Sequence, residues 1–272
     1  MIPRFFGAAH APLYGVYHPP AADAPARRAG VVLCYPGPQE YRQAHWAYRR
    51  LAALLAAQGV PVLRFDYHGT GDSAGASEDG SLTRWAGDVA TAAEELRDAA
   101  GVRRVSLVGM RLGAAAAARA CAAGLAVADL VLWDPVVRGA DYLAALAAEH
   151  AVACGLRQYP GSDRTGPDEL LGYVVTPAMR AELEALDLAA EGCGRPGRAL
   201  VVAADDGAGY DASGYDALGY DALGDALRAH GVAAEVRRVP DVTLARGGHA
   251  TSDTLLARHV PAAVAEFLAA GR

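Results

Sequence analysis

The 272-residue chain contains no lysine and no asparagine, and its single isoleucine is Ile2. Without lysine there is no amine for Schiff-base chemistry and no P-loop lysine to reach a nucleotide's phosphates, so two enzyme classes are excluded at once. All 25 cationic side chains are therefore arginine, against 31 Asp and Glu. The net charge of −6 argues against the broad cationic face that nucleic-acid binding needs. Cysteine is scarce too: the four, at 34, 121, 154 and 193, show no C-x-x-C spacing. Reduced thiols packed as small apolar groups are expected, with no metal site and no cofactor. No uncharged apolar run reaches the roughly eighteen residues that a membrane span requires, and Met1-Ile2-Pro3-Arg4 opens directly into a strand-like pair. Neither a transmembrane segment nor a signal peptide is expected, and the cytoplasm is the default compartment.

What is abundant is alanine, glycine and arginine, the signature of a GC-rich coding sequence, so alanine content alone is not a helix signal. Periodicity is more informative. Strand-like apolar runs occur at residues 4–7, 13–17, 30–35, 61–67, 105–109, 129–134, 199–204 and 235–239. Helical patterns lie at 45–58, 82–99, 112–123, 221–230 and 255–270. After an opening antiparallel hairpin, strands alternating with helices imply one α/β domain with a mostly parallel, eight-stranded sheet flanked by helices. Residues 139–197 break that rhythm. They hold a helical pattern at 142–153, a polar loop at 159–167 and a helix at 177–188 with Thr176 as N-cap and Pro177 at its first position. They read as a small helical lid inserted into a core made of residues 1–138 and 198–272.

Residues 209–227 contain three copies of a Gly-Tyr-Asp-Ala unit at a period of five, then a partial one. The period fits neither a solenoid nor a calcium loop, and slippage of a repeat tract in an exposed loop accounts for it; a binding role for Tyr210, Tyr215 and Tyr220 is the other reading. Gly69-x-Gly71 with Gly75 has the wrong final spacing for a dinucleotide fingerprint, and no helix opens at that loop.

The chemistry-bearing feature is Gly109-Met110-Arg111-Leu112-Gly113, between the strand at 105–109 and an alanine-rich helix. A strand, a tight turn and a helix flanked by glycines resemble the G-x-S-x-G nucleophile elbow of the α/β-hydrolase fold. That elbow carries a hydroxyl nucleophile beside backbone N–H donors that hold an oxyanion. Arg111 offers only donors and stays protonated at any working pH, so it cannot attack a carbonyl. Close helix packing with a solvent-facing arginine is the bland alternative. Order favours the elbow: an acidic pair, Asp205-Asp206, follows the strand at 199–204, and His249 follows the strand at 235–239. Elbow, acid, histidine is the chain order of that fold's triad.

Further stretches carry the same likeness. Asp66-Tyr67-His68-Gly69-Thr70-Gly71-Asp72-Ser73 follows the fourth strand, Tyr35-Pro36-Gly37-Pro38-Gln39-Glu40 the third, and Trp133-Asp134-Pro135 the sixth. With Gly172-Tyr173 in the insertion, the chain resembles serine-aminopeptidase-like α/β hydrolases, and among these the hydrolases associated with exosortase systems. The resemblance implies His249 as base, Asp205 or Asp206 as acid, and the backbone N–H of Leu112 as one oxyanion donor. Gly37 or Gln39 supplies the second, since Pro36 and Pro38 have no N–H. Tyr35, Trp133 and Tyr142 are expected at the substrate. Ser106 in its strand, Ser73 in its loop and Cys34 at a strand end are poor substitute nucleophiles.

A cation at a helix N-terminus is disfavoured by about 0.3 to 1 kcal/mol, so Arg111 needs a partner. An ion pair with Asp205 or Asp206 would make a silent scaffold. A bound carboxylate, phosphate or acyl-thioester group would instead leave an enzyme in which His249 activates water on an ester, thioester or amide. The expected partner is thus a small acyl compound or anion, with both functional readings open.

Overall fold

The computed structural model describes residues 1–25, 27–155, 168–204, 219–241 and 258–271. All eight expected strands form and join one sheet. β1 (Ile2–Phe6) and β2 (Leu13–His18) make the opening antiparallel hairpin, and β2 continues antiparallel onto β4 (Val62–Phe65). β3 (Ala29–Cys34), β5 (Arg104–Met110) and β6 (Asp129–Trp133) are parallel to β4. Beyond β6 lie β9 (Arg198–Ala204) and the edge strand β10 (Ala233–Val239), giving the order β1-β2-β4-β3-β5-β6-β9-β10. The inner strands are apolar runs buried nearly end to end, which is what helices on both faces of a parallel sheet require.

The order locates the site. The crossover from β3 through α1 (Pro38–Ala57) leads to β4 on one side, and the next, through α2 (Leu82–Ala100), returns past β3 to β5. With right-handed crossovers, α1 and α2 cover opposite faces, and the chain diverges between β3 and β5. A crevice therefore opens at the C-terminal ends of those two strands. α3 (Leu112–Ala122) follows β5 and packs on α2, while the last helix, α8 (His259–Ala270), packs on α1.

Local differences from the sequence reading have local causes. α1 starts at Pro38 rather than at 45, because proline fills a first-turn position where no N–H is needed. The segment between β6 and β9 carries α4 (Gly139–Gly155), a two-stranded hairpin of β7 (Glu169–Leu170) and β8 (Tyr173–Val174), α5 (Pro177–Ala185) and α6 (Leu188–Glu191). Thr176 caps α5, its hydroxyl accepting from the Met179 N–H at 3.1 Å. The helix expected over 177–188 splits because Leu186 is extended and the Asp187 carboxylate takes the N–H groups of Ala189 and Ala190. The hairpin turn, Leu171-Gly172, has positive φ at both residues, a main-chain requirement that the side chains did not signal. α7 (Tyr220–Ala229) begins at the last full repeat, and the preceding copies lie outside the described residues.

The glycine-rich loop after β4 is structural. Asp66 accepts from the Tyr41 hydroxyl at 2.6 Å and from the Asp72 N–H at 3.0 Å. Ser73 donates to the Asp66 carbonyl and accepts from the Tyr14 N–H, which ties the loop back onto β2.

Candidate functional site

The crevice between β3 and β5 is occupied by Arg111. It is the residue between β5 and α3, with φ 53° and ψ −119°, a conformation that costs a non-glycine residue on the order of 1 to 3 kcal/mol. Main-chain bonds on both sides hold it there. Its N–H donates to the Trp133 carbonyl at 3.0 Å, and its carbonyl accepts from Ala114 at 3.1 Å. The flanking glycines permit the turn: a Cβ on Gly109 would lie 2.4 Å from the Gly113 carbonyl oxygen, and one on Gly113 2.2 Å from that of Tyr35. Asp134, just beyond β6, is a second non-glycine residue with positive φ. Its carboxylate accepts from the Ala204 N–H at 2.8 Å and pins the ends of β6 and β9 together.

The Arg111 side chain does not face solvent; the residue is 7% exposed. Its Nε donates to Glu40 Oε1 at 2.9 Å and its Nη1 to the Asp134 carbonyl at 3.0 Å. The ring of Tyr142, from α4, lies 5.5 Å from the guanidinium, and the Tyr142 hydroxyl donates to the other Glu40 oxygen at 3.3 Å. Tyr220, buried at the start of α7, also bears on the Arg111 charge. Burial opposes that charge and the Glu40 carboxylate outweighs it, so the guanidinium holds its proton more tightly than usual. Burial likewise pushes the Glu40 carboxyl up, against the pull of Arg111. Glu40 sits in the first turn of α1, where the helix dipole favours a carboxylate, and so it offsets the cation at the N-terminus of α3.

Sequence reasoning missed Glu40 as the partner. The partners expected from the sequence, Asp205 and Asp206, lie with His249 outside the described residues. The available signal was an acid in the first turn after β3, one strand from the turn that carries Arg111.

The other expected site residues divide into two groups. Leu112 and Tyr142 line a small cavity of about 40 Å³ between the core and the β6–β9 segment, together with Gln39, Trp85, Met179 and Leu183. Gly37 borders it, since a Cβ there would lie 3.2 Å from Leu112 Cδ1 and 3.5 Å from the Tyr142 hydroxyl. No backbone hydrogen bond among the described residues uses the Leu112 N–H. Tyr35 and Trp133 instead face the core. The Tyr35 hydroxyl accepts from Arg64 at 2.8 Å, and Trp133 packs on Tyr48 at 6.0 Å.

The substitute nucleophiles are occupied. Ser106 is buried and donates to Asp129 at 3.0 Å, and burial pushes the Cys34 thiol far up. One thiol was passed over: Cys154 lies 3.4 Å from His150 Nε2, one turn earlier in α4, and His150 Nδ1 accepts from the Leu171 N–H at 3.0 Å. Its signal was the four-residue spacing on a helix. No group of three metal-ligating side chains occurs among the described residues, and no described helix is long and apolar enough to cross a membrane.

Solved structures with the same architecture span nearly the whole chain. Est1E from Butyrivibrio proteoclasticus, solved with ferulic acid bound, is 18% identical with a TM-score of 0.64, and 98% of each chain is covered. A soluble variant of monoglyceride lipase from Saccharomyces cerevisiae, in complex with a substrate analog, is 11% identical with a TM-score of 0.67, covering 100% of this chain and 96% of that one. Proline iminopeptidase from Mycobacterium smegmatis is 14% identical with a TM-score of 0.62, covering 99% and 98%. At such identities the likeness establishes the fold alone. No curated protein sequence matches. The family model described as Serine aminopeptidase, S33 matches residues 26–181, more than half of the chain. On that match, and on an eight-stranded, mostly parallel sheet with its divergence point between β3 and β5, the chain belongs to the S33 serine aminopeptidase family of α/β hydrolases.

Proposed function

We propose that this chain is a silent member of its family: an α/β-hydrolase-fold protein that forms no acyl-enzyme and serves as a binding or scaffold protein. The turn from Gly109 to Gly113 is read as the nucleophile elbow with arginine in the place of serine, and the motifs after β3, β4 and β6 support a relation to the exosortase-associated hydrolases. One observation carries the proposal. Arg111 is buried at that turn, with Nε committed to Glu40 and Nη1 to the Asp134 carbonyl. The pair spans the space between the elbow and the loop after β3, where nucleophile and oxyanion donors would meet. The β6–β9 segment acts as the lid over the remaining cavity, lined by Leu112 and Tyr142.

A second reading keeps a reaction. Asp205 follows directly on β9 and His249 comes after β10, the positions where the family's acid and base fall. In that reading His249, backed by Asp205 or Asp206, activates water on an ester, thioester or amide, and Arg111 fixes an anionic group through the part of its guanidinium left uncommitted.

An ester, thioester and amide panel run on wild type and His249→Ala separates the two. The silent reading expects no turnover in either protein and no labelling by a fluorophosphonate. Wild-type turnover that disappears in His249→Ala establishes the second reading. The double variant Arg111→Ser/Glu40→Gln is expected to acquire fluorophosphonate labelling, since it restores a hydroxyl and leaves no unpaired charge behind. Continued inertness of that folded variant would remove Asp205, Asp206 and His249 from the site.

A further inference from the structure

A larger cavity lies at the opposite end of the sheet. It opens at the N-terminal ends of β3, β5 and β6, between the C-terminal turns of α1 and α8, and encloses about 290 Å³. Pockets that hold small molecules run from roughly 300 Å³ upward, so this one is sized for a small ligand. Its inner wall is apolar, formed by Val31, Leu55, Val60 and Leu268. Its rim carries three arginines: Arg27, Arg28 and Arg104. None of the three has a carboxylate partner among the described residues; Arg27 uses Nε on the Gln58 carbonyl at 3.2 Å, and the others make no ion pair.

Among the described residues that line the cavity, the one acid, Asp129, does not neutralise them. Asp129 accepts from Arg198 Nε at 2.8 Å on one oxygen and from Ser106 at 3.0 Å on the other. Its charge is already balanced, and the floor of the cavity presents a closed Ser–Asp–Arg chain. In a protein of net charge −6, three guanidinium groups without a carboxylate partner among the described residues, set around an apolar hollow, form a local field of the opposite sign. Apolar surface alone would accept any hydrocarbon. A ring of donors alone would accept any anion. The two together select a molecule with one apolar tail and one anionic head of planar, two-oxygen geometry, which a guanidinium grips through paired N–H groups.

We propose that this cavity is a binding site for a medium-chain carboxylic acid, its chain against Val31, Leu55, Val60 and Leu268 and its carboxylate among Arg27, Arg28 and Arg104. The site is separate from the Arg111 crevice and does not depend on the reading of that crevice. It lies at the other end of the same parallel strands, so a variant made at one end leaves the other's side chains in place.

Titration calorimetry on the full chain tests the proposal with three probes: octanoate, octanol and acetate. Octanoate is expected to bind one per chain and about tenfold or more tighter than octanol, with acetate not measurable, because head and tail are both needed. Arg28→Ala/Arg104→Ala removes two exposed side chains and is expected to bring octanoate down to the affinity of octanol while leaving octanol unchanged. Ala269→Trp, at a partly exposed wall position, fills the hollow and is expected to abolish binding, with a thermal melt to confirm the fold. Octanoate binding no better than octanol in wild type overturns the proposal. So does octanoate binding that survives Ala269→Trp or the double arginine variant, since the acid would then sit elsewhere.

Discussion

A guanidinium as deep as that of Arg111 is tolerable only with its counter-charge in place. Glu40 is 8% exposed, and between them the two side chains make four contacts that each close a polar group: Arg111 to Glu40, Arg111 to the Asp134 carbonyl, Tyr142 to Glu40, and the Tyr142 ring against the cation. Such a pair adds little net stability against an apolar replacement, but breaking one half leaves an uncompensated buried charge. Glu40→Ala is therefore expected to cost about 3 to 5 kcal/mol in urea unfolding, far more than an exposed helix position would. Glu40→Leu/Arg111→Met, which removes both charges at similar volume, should recover most of that loss. A Glu40→Ala penalty under about 1 kcal/mol would mean that Arg111 finds another anion and that the pair does not hold the site. Sequence made Arg111 conspicuous because a charged residue interrupts an alanine-rich helix start. It hid Glu40 because the helical pattern shows only from residue 45, which leaves Glu40 in the loop motif ahead of it rather than in the first turn of α1.

At the scale of elements, hydrophobic periodicity carried the architecture, and main-chain geometry carried what it missed. The eight strands were legible because buried parallel strands are continuous apolar runs; the β7–β8 hairpin was not, because its two-residue strands are too short to show a period. The pairing of β2 with β4 adds a chemical consequence that no pattern announced. Arg64 on β4 donates from Nε to His18 Nε2 on β2 at 3.0 Å, so His18 must stay unprotonated at that nitrogen. Burial and the Arg64 charge lower the His18 pKa from 6.5 to about 4. In the window between those values the unfolded chain takes up a proton that the folded chain refuses, so stability contributed by His18 is full above about pH 6.5 and falls as the pH drops toward 4. Each pKa unit is worth about 1.4 kcal/mol, which makes the loss on the order of 2 kcal/mol by about pH 5. Asp66 and Asp88, whose carboxyls burial raises, act in the opposite sense in acid. The measurement is therefore the difference in unfolding free energy between wild type and His18→Gln, whose amide oxygen still accepts from Arg64. That difference should change across the window, and a flat difference would place the His18 proton in the folded state as well.

Across the whole molecule, the sheet's divergence point and the β6–β9 segment face each other over the Arg111 crevice, so how firmly that segment is held decides access. One cation ties two of its helices, α5 and α6, to the core. Arg119, on α3, donates to both oxygens of Glu191 at 2.9 and 3.0 Å and lies 3.8 Å from Glu182. Glu182 in turn accepts from the Thr83 hydroxyl at 2.7 Å and from its N–H at 3.2 Å, at the start of α2. α5 and α6 are thus clamped to α2 and α3 by polar contacts, while Met179, Leu183 and Leu188 bury the apolar side. Half-exposed ion pairs are worth about 1 kcal/mol or less each, too little to decide global folding. They are enough to decide a local opening equilibrium, where about 1 kcal/mol is roughly a fivefold change in population. Arg119→Ala is accordingly expected to leave the urea midpoint nearly unchanged while hydrogen exchange in α5 and α6 speeds up about fivefold and exchange in β3, β5 and β6 does not. Exchange that accelerates equally in the strands would make the clamp part of global stability. Exchange unchanged in α5 and α6 would assign the hold to Met179, Leu183 and Leu188 alone, and the crevice would then open only when that apolar packing separates.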